Sequence, residues 1–176
     1  MVNNKLKFYE LSKEHFTIVT NWFNQPHVQE YYSLRDWTHQ EVETKLSKCL
    51  SNESDVKAYI IAINNQSIGY IQKYPLKNHP WPDQEFNEEV IDNTAGIDFF
   101  IGELVYVGKG LGTKILEGFL NNYIWPNYNY CVADPDTNNS RSINLLKKLG
   151  FIKEKIIHTK NAINQVVALQ LMLKTK

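Results

Sequence analysis

The stretch that decides the fold is GKGLGT, residues 108–113 (Gly108-Lys109-Gly110-Leu111-Gly112-Thr113). It follows a β-like run at residues 94–101 and opens an amphipathic run at residues 113–123. Glycines at alternate positions have no Cβ atoms to screen the backbone N–H groups. At the start of a helix, those groups carry the positive end of the helix dipole and attract a phosphate or pyrophosphate. The stretch therefore predicts an anion-binding loop; the alternative is a flexible turn without a ligand.

Two common nucleotide-binding motifs do not fit this loop. A Walker loop requires Gly-Lys followed by Ser or Thr, but Gly108-Lys109 is followed by Gly110. The fingerprint GxGxxG requires a third glycine three residues after the second. Counted from Gly108 that position is Thr113, and counted from Gly110 it is Ile115. The motif that remains is G-K-G-x-G-T.

Length and composition restrict the class of protein. The 176 residues predict one domain, residues 1–176, and 43% hydrophobic residues are typical of a globular chain. Lys+Arg and Asp+Glu both number 19, which argues against a nucleic-acid binder that depends on basic charge. No apolar run has the length of a membrane span and the first residues lack a signal-peptide core, so a cytoplasmic protein without a membrane partner is expected. The five histidines and two cysteines show no metal-ligand spacing, so no metal is expected.

Hydrophobic periodicity and turn signals predict the order β-α-α-β-β-β-α-β-α-β-β. The predicted helix starts are Ser12, Thr38 with Glu41 at the capping-box position, and Asn138 or Asn139. The predicted strands are residues 5–10, 57–63, 67–74, 94–101, 128–133, 151–158 and 165–173. This order describes a single α/β (α+β) domain with a mixed, mostly antiparallel sheet and flanking helices. Residues 75–95 contain three prolines and no clear period, which predicts a long irregular flap with a functional role.

The loop and its surroundings resemble the GCN5-related N-acetyltransferase (GNAT) superfamily over most of the chain. Several segments resemble the aminoglycoside N-acetyltransferases that modify the 6′-amino group: Gly96-Ile97-Asp98, Ala133-Asp134-Pro135, Lys148-Leu149-Gly150-Phe151, Pro26-His27-Val28 and Ile68-Gly69-Tyr70-Ile71-Gln72. The glycine loop is common to the superfamily, whereas the Gly-Ile-Asp and Asp-Pro elements at this spacing discriminate more strongly.

The resemblance implies acetyl-CoA as the cofactor. In that family the pantetheine arm lies in a gap between the fourth and fifth strands, here residues 94–101 and 128–133. Backbone groups of Phe99, Phe100 and Ile101 would pair with the arm, and one N–H would polarise the thioester carbonyl. The pyrophosphate would bind Gly108, Lys109, Gly110, Leu111, Gly112 and Thr113, with Lys109 or Lys114 adding charge, and Asn139 matches an asparagine that contacts the cofactor.

Two aspartates are the expected catalytic residues. An aliphatic amine has a pKa near ~10 and must lose a proton before it attacks a thioester. The resemblance assigns Asp98 and Asp134 to the aminoglycoside site, Asp98 as general base and Asp134 as the group that orients the amine. The alternatives are a solvated edge residue for Asp98 and an Asp-Pro turn with a helix cap for Asp134.

One position departs from the family pattern. A tyrosine that would protonate the leaving CoA thiolate is expected where this chain has Leu146. Solvent or another residue would then serve, with Tyr123, Tyr128 and Tyr130 nearby in sequence, or catalysis would be weak.

The acceptor is expected to be a small polycationic amine, with aminoglycosides first. Five acidic residues against Lys77 in the flap would attract such a substrate, although a solvated acidic loop is the alternative. Tyr31, Tyr32 and Tyr74 are the expected substrate-binding aromatics, whereas Trp81 and Phe86 belong to the core or to the pocket wall. Two further functions stay open: acetylation of a protein N-terminus or lysine, and a non-catalytic acyl-CoA sensor, which Leu146 favours. A monomer or homodimer is expected.

Overall fold

The computed structural model describes residues 5–81, 83–161 and 163–176. Its strands are β1 (Leu6–Glu10), β2 (Lys57–Ile63), β3 (Gln66–Pro75), β4 (Thr94–Ile101), β5 (Tyr130–Ala133), β6 (Ile152–Lys160) and β7 (Val166–Thr175). They form a seven-stranded sheet in the order β1-β2-β3-β4-β5-β7-β6. β4 and β5 pair in parallel, whereas β1–β2, β2–β3, β5–β7 and β6–β7 are antiparallel. The predicted mixed, mostly antiparallel sheet is confirmed.

Six α-helical segments accompany the sheet. They are α1 (Phe16–Phe23), α2 (Pro26–Val28), α3 (His39–Ser47), α4 (Glu88–Asp92), α5 (Leu111–Phe119) and α6 (Ser140–Lys148). A 3-10 turn at Lys13–His15 leads into α1, and a π-helical turn at Gln29–Ser33 extends α2. The predicted order of elements is confirmed, with the short α2 and α4 added.

The chain divides into two compact units. Unit 1 contains the described residues up to Lys73 together with Asp98–Ile115, and unit 2 contains Tyr74–Ile97 and Leu116–Lys176. Unit 1 is built around Phe100 of β4, whose ring contacts Trp22, Phe23, Tyr32 and Tyr70 at centroid distances between 4.7 and 6.3 Å. Because aromatic pairs at such distances add to the free energy of burial, this aromatic cluster is a rigid support for the end of β4.

Helix α3 begins in unit 1 as its sequence predicts. The Glu41 N–H donates to Thr38 Oγ1 at 3.3 Å, and the Thr38 N–H donates to Glu41 Oε2 at 2.8 Å, which completes a capping box. Arg35 also pairs with Glu41 at 2.8 Å. The Arg35 hydrogen bond and the Thr38 bonds lower the pKa of Glu41 to about 2. The predicted capping box at Thr38 is confirmed.

In unit 2, the segment after β3 is more ordered than its sequence indicates. Leu76 is fully buried against Val132 and Leu171, and Trp81 and Phe86 pack on the same cluster. The Val90 N–H donates to Asn87 Oδ1 at 2.9 Å and caps α4. The prediction of an irregular flap over residues 75–95 is therefore only partly right, because the buried Leu76 and the Asn87 cap order a segment that has no helical period.

Two predicted boundaries shift around the glycine loop. α5 begins at Leu111 rather than at residue 113, and after Phe119 it continues as a π-helical turn, Leu120–Ile124. β5 begins at Tyr130 rather than at residue 128, since the Tyr128 N–H still donates to the Ile124 carbonyl at 3.0 Å. Tyr128 favours a strand by its side chain, but its backbone N–H is used by the hydrogen bonds at the end of the helix.

Candidate active site

Two glycines of the glycine loop in unit 1 have a left-handed backbone. Gly108 and Gly110 have φ values of 76° and 75°, and a Cβ added to either would meet nothing within 4 Å. The glycines are therefore required by the left-handed backbone and not by crowding. Gly110 directly precedes α5, so N–H groups of the first turn of a nine-residue helix are available to an anion. This open left-handed cradle fits a pyrophosphate.

Asp98 is held by side chains of the neighbouring strand β3. Gln72 Nε2 donates to Asp98 Oδ2 at 2.7 Å, and the Tyr70 hydroxyl donates to Gln72 Oε1 at 2.7 Å. Asp98 is half-buried and lies on β4 two residues after Gly96, where the pairing of β4 with β5 ends. A half-buried carboxylate that is oriented by a hydrogen-bond donor is suited to act as a general base.

The phenols near Asp98 stay neutral. Burial raises the pKa of Tyr70 and of Tyr32 well above 10, and the negative charge of Asp98 adds to both shifts. Tyr32 also packs at 5.7 Å from Phe23 and 6.4 Å from Tyr70, which makes it part of the aromatic cluster. Its expected contact with substrate is therefore limited to whatever part of the ring this packing leaves accessible.

Asp134 follows β5 in unit 2 and binds the segment between β3 and β4. Trp81 Nε1 donates to Asp134 Oδ2 at 2.8 Å. The cap of α6 is Asn139, whose Oδ1 accepts from the Ser142 N–H at 3.1 Å, so the helix-cap alternative for Asp134 is wrong. Trp81 is a functional candidate whose partner the sequence does not indicate, because an indole N–H 53 residues away leaves no local pattern.

Tyr74 explains why Gly96 precedes the Ile97-Asp98 pair. A Cβ added to Gly96 would lie 2.2 Å from Tyr74 Cε2 and 2.8 Å from its hydroxyl. The ring therefore lies across the glycine, and it also contacts His79 at 5.1 Å between centroids. In the Gly96-Ile97-Asp98 element, Gly96 therefore leaves room for the Tyr74 ring, and the candidate base follows two residues later. Tyr31, by contrast, is 37% exposed on the π-helical turn of unit 1.

The pairing of β4 with β5 covers only the first part of β4. Its register with β5 consists of three pairs and ends at Gly96 with Val132, whereas β4 continues to Ile101. The Phe100 side chain is buried in the aromatic cluster, so only its backbone can serve a ligand. His27 Nε2 lies 3.0 Å from the Ile101 carbonyl oxygen, so a ligand would share that acceptor with the imidazole.

The position of the expected general acid is part of the core. Leu146 is 4% exposed on α6 and carries no proton donor. Tyr123 stacks on Phe119 at 4.9 Å. Position 146 therefore cannot supply the proton for the leaving CoA thiolate.

Three acidic residues between β3 and β4 have a favourable electrostatic environment. Lys155 Nζ lies 3.0 Å from Glu85 Oε1, and Glu88 and Glu89 occupy the first turn of α4, where the helix dipole favours them. Within the described residues, no helix has the length and apolarity to cross a membrane, and no group of three potential metal ligands occurs.

Comparison with known proteins agrees with this architecture. Residues 12–159 match the family described as acetyltransferase (GNAT) domain. The chain is 27% identical over 161 residues to an aminoglycoside N(6′)-acetyltransferase type 1 of Klebsiella pneumoniae, which covers 89% of this chain and 79% of that protein.

Two solved structures extend the likeness to the fold. An uncharacterized protein from Bacillus halodurans superimposes with a TM-score of 0.82 at 26% identity, over 99% of this chain and 86% of that one. The aminoglycoside acetyltransferase AAC(6′)-Ib, in complex with coenzyme A and kanamycin, superimposes with a TM-score of 0.76 at 25% identity, over 98% and 95%. Because the family match spans well over half of this chain, the chain belongs to the GNAT family and is an acetyltransferase that uses acetyl-CoA.

Proposed function

We propose that this protein, as one acetyltransferase domain, transfers an acetyl group from acetyl-CoA to the 6′-amino group of an aminoglycoside. The carrying observation is Asp98, a half-buried carboxylate fixed by Gln72 and placed two residues after Gly96 on β4. The likeness to an aminoglycoside N(6′)-acetyltransferase over 161 residues supports the substrate class. On this proposal the protein could confer antibiotic resistance.

The glycine loop of unit 1 would hold the cofactor. Backbone N–H groups of Gly108–Thr113 would bind the pyrophosphate, with Lys109 or Lys114 nearby in sequence, and the backbone of Phe99–Ile101 would pair with the pantetheine arm. In unit 2, Asn139 would add a polar contact through the amide that also caps α6. When bound, acetyl-CoA supplies an acetyl thioester to the amine.

The two aspartates would divide the work on the amine. Asp98 would accept a proton from the substrate ammonium, directly or through water, and leave a lone pair for attack. Asp134, whose Oδ2 already accepts from Trp81, would orient the amine by charge. Tyr31, Tyr32 and Tyr74 would contact the sugar rings, and the acidic residues between β3 and β4 would attract the polycation.

The test is release of free CoA with three acceptor classes: kanamycin, spermidine, and peptides with a free N-terminus or lysine. Kanamycin should be preferred, and mass spectrometry with NMR should locate the acetyl group on the 6′ nitrogen. Preference for peptides would contradict the proposed substrate class.

A sensor function is the second candidate, and the buried Leu146 favours it because the usual thiolate protonation has no donor at that position. A sensor should bind acetyl-CoA in calorimetry and release no CoA with any of the three acceptors.

A further inference from the structure

A chain of hydrogen bonds runs from the interior of unit 1 to Asp98. The Tyr70 hydroxyl donates to Gln72 Oε1, and Gln72 Nε2 donates to Asp98 Oδ2. Both hydrogen bonds of the Gln72 amide are 2.7 Å long, and Tyr70 is 1% exposed. The chain therefore connects a buried hydroxyl with the carboxylate proposed as base.

The direction of every bond in this chain is determined. An amide oxygen can only accept, so the Tyr70 hydroxyl must donate to Gln72, which leaves the Gln72 NH₂ to face Asp98. Burial raises the pKa of Tyr70, so its hydroxyl remains a protonated donor. Both donors therefore point toward the carboxylate, and the first strengthens the second.

The packing of Tyr70 does not require its hydroxyl. Its ring stacks on Phe100 at 5.7 Å with an interplanar angle of 17°, and a phenylalanine would keep that contact. A hydroxyl in a core costs free energy unless it is hydrogen-bonded. The hydroxyl donates to Gln72 Oε1 and so fixes the orientation of the Gln72 amide.

We propose that Tyr70 is a positioning residue, which acts through Gln72 to keep an N–H donor on Asp98 and so favours the ionised, correctly oriented carboxylate. The proposal rests on the role of Asp98 given above. If the amide reversed, Gln72 Oε1 would face the carboxylate and repel it. Donation to the charged form lowers a carboxyl pKa, so loss of the donor raises it. The titratable groups around this chain of bonds are Tyr70 on β3, Tyr32 after α2 and Cys49 after α3, and all three have raised pKa values.

The test uses two variants, Tyr70→Phe and Gln72→Met, in the full chain. The carboxyl pKa of Asp98 is measured by 13C NMR, with Asp98→Asn to assign the signal, and kcat/KM for kanamycin is measured against pH. Both variants should raise the Asp98 pKa, by about one unit for Gln72→Met and less for Tyr70→Phe. The acidic limb of the pH profile should move up by the same amount, so that activity on that limb falls up to roughly tenfold, with unchanged acetyl-CoA affinity.

Tyr9→Phe is the matched control, because it removes a tyrosine hydroxyl whose bond to Asn65 lies on the exposed edge of unit 1. An Asp98 pKa that Tyr70→Phe leaves at the wild-type value would overturn the proposal. If both variants move the pKa while the acidic limb stays in place, the positioning role stands and the role of Asp98 as base fails. The NMR titration decides the positioning role even if the wild-type protein releases no CoA.

Discussion

Asp98 and Asp134 each accept a hydrogen bond at Oδ2 from a neutral N–H group, but the two regions are built differently. In unit 1 the donor is Gln72, which lies on the adjacent strand and is held by a tyrosine of the aromatic cluster. In unit 2 the donor is Trp81, which belongs to the segment between β3 and β4. With the proposed roles, the carboxylate for proton transfer would lie on a rigid support, whereas the carboxylate for acceptor recognition would be bonded to a segment with few regular elements.

The largest expected effect is at Asp98. Asp98→Asn removes the base and should lower kcat by about 10²-fold or more with unchanged acetyl-CoA affinity. Asp36→Asn is the matched control, because Asp36 Oδ1 accepts from Gln29 Nε2 at 2.8 Å in the same unit, on an exposed surface. Near-normal turnover of the Asp98 variant would remove it from the proposed role.

The next largest expected effect is on acetyl-CoA binding, and it is seen by substituting a glycine of unit 1 and a glycine of unit 2. Gly110→Val should weaken acetyl-CoA binding about 10²-fold, since a bulky side chain in a left-handed backbone deforms the cradle and costs hydrogen bonds to charge. Gly150→Val is the control: Gly150 has φ 85° at the end of α6, so it should lose similar stability, roughly 1–2 kcal/mol, without loss of affinity. Calorimetry with acetyl-CoA and thermal unfolding give the two quantities. Retained affinity in the Gly110 variant would refute the cradle.

A smaller effect is expected at the indole of unit 2. Trp81→Phe keeps an aromatic ring against the Leu76 cluster but removes the N–H from Asp134, so the KM for kanamycin should rise roughly tenfold with little change in kcat. Lys155→Met is the control, because it removes only the surface pair with Glu85. A drop in kcat with constant KM would mean that Asp134 acts in the chemical step.

The smallest effect concerns the stability of unit 1. The pKa of Glu41 is lowered to about 2 from 4.5, so its carboxylate stabilises the fold above about pH 4.5, and this contribution is lost as the pH falls toward about 2. Glu41→Gln should therefore lower the Tm slightly at neutral pH and converge with the wild type in acid. Glu43→Gln on the same helix controls for the loss of one carboxylate. A Tm difference that does not depend on pH would contradict the assignment to the capping box.

Much of the fold could be predicted because its signals are local. The Thr38 capping box, the strand periods and the left-handed glycines before α5 each depend on residues within a few positions of one another. The turn Asn64–Asn65, where both residues have positive φ, likewise gave the β2–β3 hairpin. The identities of Asp98 and Asp134 depended on the family likeness, since no local pattern distinguishes a catalytic aspartate.

The partners of those aspartates could not be predicted, and the reason is distance along the chain. Gln72 lies 26 residues from Asp98, and Trp81 lies 53 residues from Asp134. Both contacts are created by the sheet and the buried Leu76 cluster, so they follow from tertiary packing. The short α4 was missed for a different reason: five residues are too few to show a helical period, and only the Asn87 cap marks its start.

With the proposed contact of Tyr74 to substrate, its ring over Gly96 also limits how the acceptor specificity can be redesigned. Positions 74 and 96 occupy a single volume, because any side chain at 96 would begin 2.2 Å from the ring. They cannot be randomised independently, because a side chain at position 96 requires the Tyr74 ring to move. Paired libraries with a smaller side chain at position 74 and a larger one at position 96 would transfer side-chain volume from β3 to β4. The new side chain would lie two residues before the candidate base.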